Sequence, residues 1–217
     1  MMIYNLGIYN TILNQFVAEM RDKNIQNDPM RFRTNMVRVG EIMAYEISKL
    51  LPYKTINVET PLGIAESKIL AEQPILATIL RAGIPFHQGF LNFFDKSSCA
   101  FVTAYRNHLH GSEFNINVEY VSTPSIENKI LVLCDPMLAT GNSIILSYKK
   151  LLSHGVPKQL HIASIIASQA GIDDLSKNID HPDFYIWSAA IDKQLDENYY
   201  IVPGLGDAGD LAFGKKE

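Results

Sequence analysis

Apolar residues along the chain fall into two patterns, short continuous runs and stretches with helical spacing. The continuous runs predict strands at 55–59, 75–80, 99–105, 115–122, 130–134, 160–166 and 184–189. The helical spacing predicts helices at 83–94, 143–154 and 171–177. Strands that alternate with helices form a mostly parallel sheet with helices on both faces. The predicted fold class is therefore α/β.

Two further helices are predicted before the first strand. The first covers 11–20, with one apolar face formed by Ile12, Leu13, Phe16, Val17 and Met20. Asp28 then reads as the N-cap of the second, and Pro29 takes its first helical position. This helix runs to about Leu51, and Pro52 lies just beyond its end.

Residues 106–120 are more polar than their surroundings and have a glycine near the middle. We interpret them as a hairpin or flap. No internal repeat, low-complexity tract or linker divides the chain, and 217 residues are enough for one substantial core. We expect a single domain, 1–217.

The segment from Lys129 to Ile145 carries the clearest chemical signal. An apolar run ends at Asp135, small residues follow, and helical spacing resumes at Ile144. A loop of small residues that enters a helix N-terminus leaves backbone N–H groups pointing the same way, which favours a phosphate. Asp135, at the carboxyl end of the strand, can accept hydrogen bonds from sugar hydroxyls. The unit suits a ribose 5-phosphate, although an ordinary strand-to-helix turn with Ser143 as N-cap is the alternative.

Two arginines follow predicted strands in the same way. Arg81 lies between the run 75–80 and Ala82-Gly83, and Arg106 follows the strand that ends at Tyr105. A guanidinium fork at a strand's carboxyl end can bind a diphosphate. Both could instead be solvated surface groups.

The motif Gly204–Gly209 (GLGDAG) fits the dinucleotide-binding pattern, but we reject that reading. The true fingerprint needs about 30 residues of βαβ structure around it, and this one lies close to the chain end after Pro203. The glycines are better explained as letting backbone approach a flat ligand. A free tail would not carry the apolar residues Tyr200, Ile201, Val202, Leu205, Leu211 and Phe213.

Composition narrows the class of protein. The chain is 47% hydrophobic and 19% charged, as in ordinary globular proteins. Its net charge of −4 and the lack of a dense basic stripe argue against a nucleic-acid partner. No run is long enough to span a bilayer and no signal peptide is visible, so we expect a cytoplasmic protein without a membrane partner. Cys99 and Cys134 lie in strand-like runs and are expected to be small buried hydrophobes.

Several segments carry a family resemblance. DPMLATGNS at 135–143 resembles the 5-phosphoribosyl 1-diphosphate loop of uracil phosphoribosyltransferases, which have Asp-Pro where most related enzymes have two acids. YIVPGLGDAGDLAFG at 200–214 resembles their uracil-binding segment. Four shorter pieces follow the family's order: MRDKNI at 20–25, RFR at 31–33, ILRAG at 79–83 and AYRN at 104–107. The resemblance covers residues 20 to 214.

The resemblance implies the type I phosphoribosyltransferase fold, with a flap at about 106–120 and a C-terminal base-binding hood at about 199–214. It implies transfer of phosphoribose to uracil, giving UMP and diphosphate. The implied phosphoribosyl-diphosphate site contains Arg81, Arg106, Asp135, Pro136, Met137, Leu138, Ala139, Thr140, Gly141, Asn142, Ser143 and Asp207. The implied uracil site contains Tyr200, Ile201, Gly206, Asp207 and Ala208. Asp135, Asp207 and Arg106 would be the catalytic residues.

The same resemblance implies a Mg²⁺ cofactor that the diphosphate holds, with no direct protein ligand. It also implies a homodimer or a larger homo-oligomer, and it makes GTP a candidate effector. Asn142 departs from the family, which usually has a second glycine there. We expect the loop to form because Asn tolerates left-handed backbone angles.

Two rival functions remain open at this point. One is a phosphoribosyltransferase for another base, against which the segment at 200–214 argues. The other is an RNA-binding regulator of pyrimidine genes, which should show a basic face that this acidic chain lacks.

Overall fold

The structure, a computed structural model, describes residues 1–108 and 114–215, with backbone only for 105–108 and 114–119. Its α-helices are α1 (Ile12–Arg21), α2 (Pro29–Ser48), α3 (Gly83–Phe93), α4 (Asn142–Leu151), α5 (Gln169–Asn178) and α6 (Ala208–Phe213). Its strands are β1 (Met2–Asn5), β2 (Tyr53–Thr60), β3 (Gly63–Leu70), β4 (Ile75–Leu80), β5 (Cys99–His108), β6 (Phe114–Ser122), β7 (Ile130–Cys134), β8 (Met137–Leu138), β9 (Gln159–Ser168), β10 (Phe184–Asp192), β11 (Gln194–Leu195) and β12 (Ile201–Val202).

One mostly parallel sheet organises the described residues. Its strand order is β1-β10-β9-β7-β4-β5-β6, with the short β8 beside β9. Neighbouring strands are parallel throughout, except for the antiparallel pair β5–β6. The carboxyl ends of β10, β9, β7, β4 and β5 therefore lie along one edge of the sheet. This confirms the predicted fold class.

The core has a layer on each face of the sheet because successive residues of a strand point to opposite faces. Leu76 and Val132 join the cluster of buried residues from α1, α2 and α3. Ala77 and Leu131, each one position away, join the cluster that includes α4 and α5. The inner strands β4, β7, β9 and β10 are covered on both faces, which explains their continuous apolar runs.

The start of α2 confirms a local prediction. The Asp28 carboxylate accepts hydrogen bonds from the Met30 and Arg31 amides at 3.0 and 3.1 Å, and Pro29 opens the helix. The helix ends at Ser48, a little before the expected Leu51.

The structure also differs from the sequence-based expectations. The helix α6 and five strands were not predicted: β1, β3, β8, β11 and β12. The strands β2 and β3 form a separate two-stranded hairpin whose residues are all exposed or half-buried. Cys134 is fully buried as expected, but Cys99 is only half-buried because it opens β5 near the end of the sheet.

Candidate active site

Residues predicted from separate parts of the sequence meet at the carboxyl edge of the sheet. Asp135 directly follows β7, and Arg81 directly follows β4. The two strands are neighbours, with Thr78 opposite Cys134. Arg106 lies on β5, on the other side of β4, opposite Ile116 of β6. The predicted flap (106–120) includes the end of β5 and most of β6, while its residues 109–113 and the Arg106 side chain lie outside the described residues.

Asp135 is held at the mouth of a hollow. Its amide donates to the Ala163 carbonyl at 3.0 Å, which continues the sheet past the end of β7. Its carboxylate accepts a hydrogen bond from the Met137 amide at 3.4 Å. The hollow beside it is lined by Asp135, Met137, Ala139, Thr140, Gly141, Ser143 and Ile144. Six of the predicted phosphate-loop residues therefore border one space, whereas Pro136, Leu138 and Asn142 do not line it.

Gly141 makes the turn into α4. Its φ of 80° is left-handed, and its carbonyl accepts the helical bond from the Ile145 amide at 2.9 Å. The amides of the first turn of α4 have no helical carbonyl to bind, as at every helix start, so they can donate to an anion. The Asn142 amide makes a long bond, 3.5 Å, to the Thr140 hydroxyl. Asn142 is already helical. The loop thus forms as expected, but for another reason: Gly141, and not Asn142, takes the left-handed conformation.

Ser168 and Gly171 pack against this loop, and neither was among the predicted site residues. The Ser168 hydroxyl, at the end of β9, donates to the Ala139 carbonyl at 2.5 Å and accepts from the Gly171 amide at 2.8 Å. A Cβ at Gly171 would come within 2.3 Å of the Ala139 oxygen. The expected helix at 171–177 begins at Gln169 instead, with Ser168 as its N-cap. Serine before a helical stretch was a visible signal for this cap.

Arg81 contacts the C-terminal end of the chain. Its Nη2 donates to the Gly214 carbonyl at 3.2 Å and lies 3.6 Å from a carboxylate oxygen of Asp210. Its Nε is buried and has no hydrogen-bond partner among the residues that the structure describes. Arg33 of α2 holds the same helix through the Ala212 carbonyl at 2.6 Å. The helix α6 therefore folds back over the carboxyl edge of the sheet.

The C-terminal segment (199–214) is packed rather than free. Ile201, Leu205 and Ala208 are at most 4% exposed, whereas Tyr200 and Gly206 are accessible. Gly206 has a φ of 90°, and a Cβ built on it would meet nothing within 4 Å. Backbone at this point thus borders open space, as expected of a surface that accepts a flat ligand.

The same segment confirms that GLGDAG is no dinucleotide fingerprint. The preceding strand, β12, has two residues and pairs antiparallel with β11, so no βαβ unit surrounds the motif.

Asp207 has a structural role that the sequence analysis missed. Its Oδ1 accepts hydrogen bonds from the Gly209 and Asp210 amides at 2.8 and 3.0 Å, which makes it the N-cap of α6. A cap that starts a six-residue helix fixes where the preceding backbone turns. Its role toward the diphosphate stays a prediction.

The described residues contain neither a cluster of metal ligands nor a membrane-spanning helix. No group of three or more His, Cys, Asp or Glu side chains there could hold a metal ion. No helix there is both long enough and apolar enough to cross a membrane.

Comparisons with known proteins agree with this geometry. The family model for uracil phosphoribosyltransferase matches residues 8–215. A uracil phosphoribosyltransferase of Porphyromonas gingivalis is 54% identical over 216 residues, and the match covers 100% of both chains. One from Methanothermobacter thermautotrophicus is 36% identical, over 96% of this chain and 94% of the relative.

Solved structures show the same fold. The AQ2163 protein of Aquifex aeolicus superposes with a TM-score of 0.86 and 27% identity over 98% of both chains. A hypoxanthine phosphoribosyltransferase of Staphylococcus aureus has a TM-score of 0.50 at 12% identity, over 86% of this chain and 83% of that one, which shows the fold alone. The fold is that of the type I phosphoribosyltransferases. On the strength of the full-length matches, the chain belongs to the uracil phosphoribosyltransferase family.

Proposed function

We propose that this enzyme transfers the phosphoribosyl group of 5-phosphoribosyl 1-diphosphate to uracil, forming UMP and diphosphate in pyrimidine salvage. The observation that carries the proposal is a single edge of the sheet with three features. Asp135 lies beside a helix N-terminus, Arg81 follows the neighbouring strand, and the C-terminal segment contacts Arg81. These features correspond to a ribose phosphate, a diphosphate and a base.

The loop would hold the ribose 5-phosphate. The first-turn amides of α4, with the Thr140 and Ser143 hydroxyls, supply neutral donors for the phosphate. The Asp135 carboxylate beside them would accept hydrogen bonds from the ribose hydroxyls. Because displacement at the anomeric carbon builds positive charge on the sugar, this carboxylate also favours the transition state.

Arg81 and Arg106 would bind the diphosphate that leaves. The buried Arg81 Nε, without a partner in the described residues, is a donor that an anionic oxygen would satisfy. The carboxylates of Asp135 and Asp207 are hard oxygen donors of the kind that Mg²⁺ prefers. We place the ion mainly on the diphosphate, where it would neutralise the charge of the leaving group.

The backbone of the C-terminal segment would read uracil. Main-chain groups at Ile201 and at Gly206–Ala208 have fixed donor and acceptor directions, and Gly206 borders the open space that a flat base would fill. The exposed ring of Tyr200 stands next to Ile201. The flap would then close over both substrates and exclude water.

The proposal is tested by following UMP formation from uracil, phosphoribosyl diphosphate and Mg²⁺. Asp135→Asn keeps the shape but loses the charge. A charged hydrogen bond contributes about 1.5–3 kcal/mol, so kcat/KM should fall roughly 10- to 150-fold. Asp95→Asn, at an exposed position after α3, is the matched control and should leave the rate unchanged. Unchanged kcat/KM in Asp135→Asn would remove Asp135 from the ribose site, and no UMP from the wild type would refute the reaction.

We further propose that the enzyme is a homo-oligomer. The hairpin β2–β3 supports this because it pairs with no strand of the main sheet and carries Leu62 and Ile64 at 100% and 75% exposure. Such an apolar tip is typical of a surface that a partner covers.

We also propose that the enzyme is cytoplasmic, because its charged phosphoribosyl substrate does not cross bilayers. GTP activation is tested by adding the nucleotide to the same assay.

A further inference from the structure

An ion pair ties the C-terminal segment to the first helix. Arg21, the last residue of α1, holds Asp192, the last residue of β10, through both nitrogens of its fork, at 2.8 and 2.9 Å. The Asp192 side chain is only 9% exposed and that of Arg21 23%. The two residues are 171 positions apart in the sequence, so only the fold brings them together.

Both members of the pair also hold Gly204. The Arg21 Nη1 donates to the Gly204 carbonyl at 2.9 Å, and the Gly204 amide donates to the Asp192 carboxylate at 2.9 Å. The N–H and the carbonyl of Gly204 are thus hydrogen-bonded to two side chains of opposite charge.

Gly204 is the point at which the C-terminal segment turns. Its φ of 53° is left-handed, and a Cβ there would come within 2.0 Å of the Ile201 carbonyl oxygen. It lies between Ile201 and Gly206, so its position sets where both backbone groups point. A displacement of Gly204 would also move Ile201 and Gly206, because only a few residues separate them from it.

We propose that Arg21 and Asp192 are positioning residues for uracil. They act through Gly204 and hold the backbone of Ile201 and Gly206–Ala208 in the register that binds the base. This inference rests on the proposed function, since it requires that this backbone reads uracil. A half-buried ion pair is weak evidence for stability, because desolvation offsets its Coulomb attraction. Positioning has a larger effect, since a misplacement of about 1 Å can cost roughly 100-fold in rate.

The test compares Michaelis constants for the two substrates. Arg21→Lys keeps the charge and loses the fork that bridges Asp192 and Gly204. We expect the KM for uracil to rise at least about tenfold, while the KM for phosphoribosyl diphosphate stays within about twofold. Asp192→Asn, which keeps the size of the side chain, should shift the same constant in the same direction.

Arg31→Lys is the matched control. Arg31 also makes a two-point pair, with Glu19 at 2.9 Å, but it joins α1 to α2 and does not contact the C-terminal segment. This variant should leave both Michaelis constants unchanged. If Arg21→Lys resembles it, or raises both constants equally, the positioning role is refuted. Failure of both Arg21→Lys and Asp192→Asn to fold would assign the pair to stability and would also refute it.

A second pair of variants separates this inference from the proposed function. Gly206→Val would fill the space assigned to the base. Gly63→Val, on the hairpin β2–β3, is its control, because it places the same side chain at another glycine with a positive φ and open space around it. If Gly206→Val uses uracil normally, the base site itself is wrong. If it loses uracil while Arg21→Lys keeps the wild-type KM, only the positioning role fails.

Discussion

At the scale of single residues, Arg81 connects two parts of the site. It follows β4 at the carboxyl edge, and its Nη2 contacts Gly214 and Asp210 at the C-terminal end. A substitution here can therefore act on the diphosphate directly or on the base through α6. Arg33 makes only the second kind of contact, through the Ala212 carbonyl.

This difference makes Arg81→Lys informative. Loss of the fork should raise the KM for phosphoribosyl diphosphate about tenfold or more, while the KM for uracil changes little. Arg33→Lys controls for loosening of α6. Steady-state kinetics with each substrate varied in turn measure both constants. Equal effects of the two variants, or no effect of Arg81→Lys, would move Arg81 out of the diphosphate site.

His161 is a second residue with a measurable consequence. It is fully buried in β9, and its Nδ1 accepts a hydrogen bond from the Trp187 indole N–H at 3.0 Å. Burial lowers its pKa to about 4, and the Asp183 carboxylate opposes this weakly. The native state thus keeps His161 neutral over a range in which the unfolded state, with a pKa of 6.5, binds a proton. Stability from this group is complete above pH 6.5 and is lost as the pH falls toward 4.

We expect this loss to amount to about 2–3 kcal/mol by pH 4.5. Urea unfolding at pH 7.5 and 4.5 measures it through the fluorescence of Trp187, the only tryptophan in the chain. His161→Gln can still accept from the indole but does not titrate. Its unfolding free energy should depend less on pH by that amount, and equal pH dependence in both proteins would contradict the assignment.

A site residue could be predicted when the pattern that marks it lies within a few positions of it in the sequence. Asp135 and the loop to Ser143 were recognisable because strand, small residues and helix follow one another within a few positions. Arg21 and Asp192 were not, because each is an ordinary charged residue until the fold pairs them. Ser168 had a local signal as a helix cap, but its support of a loop 29 positions away had none.

At the scale of elements, the burial of a strand or helix decided whether the sequence could predict it. The strands of the main sheet that are covered on both faces gave clear apolar runs, and all of them were predicted. The strand β3 has no buried residue, and α6 has six residues, too few for a helical period to be seen. The edge strand β1 has four residues, none of them buried.

The exposed hairpin β2–β3 gives a prediction at this scale. If a second copy covers its tip, the double change Leu62→Ser and Ile64→Ser should shift the enzyme toward monomers, because it removes apolar area from the interface. Sedimentation equilibrium over a range of concentrations measures the shift. Val156→Ser, at a 56% exposed residue elsewhere, is the control. An unchanged mass in the double variant would place the interface elsewhere.

At the scale of the whole molecule, the chain is arranged around one edge of the sheet. The middle of the sequence provides the phosphate loop, and the last helix returns across that edge to Arg81 and Arg33. Contacts between α6 and residues from the first half of the chain join the proposed base site to the proposed diphosphate site. The resemblance implied such a C-terminal hood, but the contacts that hold it could not be predicted, because the arginines on α2 and after β4 carry no local sign of their partners.

The central claim is that backbone at Ile201 and Gly206–Ala208 selects uracil. Uracil presents an acceptor at position 4 and a donor at position 3, whereas cytosine presents the reverse. Backbone groups cannot rotate to adapt, so cytosine would leave two buried groups unsatisfied, at about 1–3 kcal/mol each.

The most direct test is the ratio of kcat/KM for uracil to that for cytosine, measured by competition with phosphoribosyl diphosphate and Mg²⁺. The predicted ratio is on the order of 10² to 10⁴ or more. Ala208→Ser should change the rate modestly and preserve the preference. Equal use of the two bases would contradict the assignment of the C-terminal segment as the uracil site.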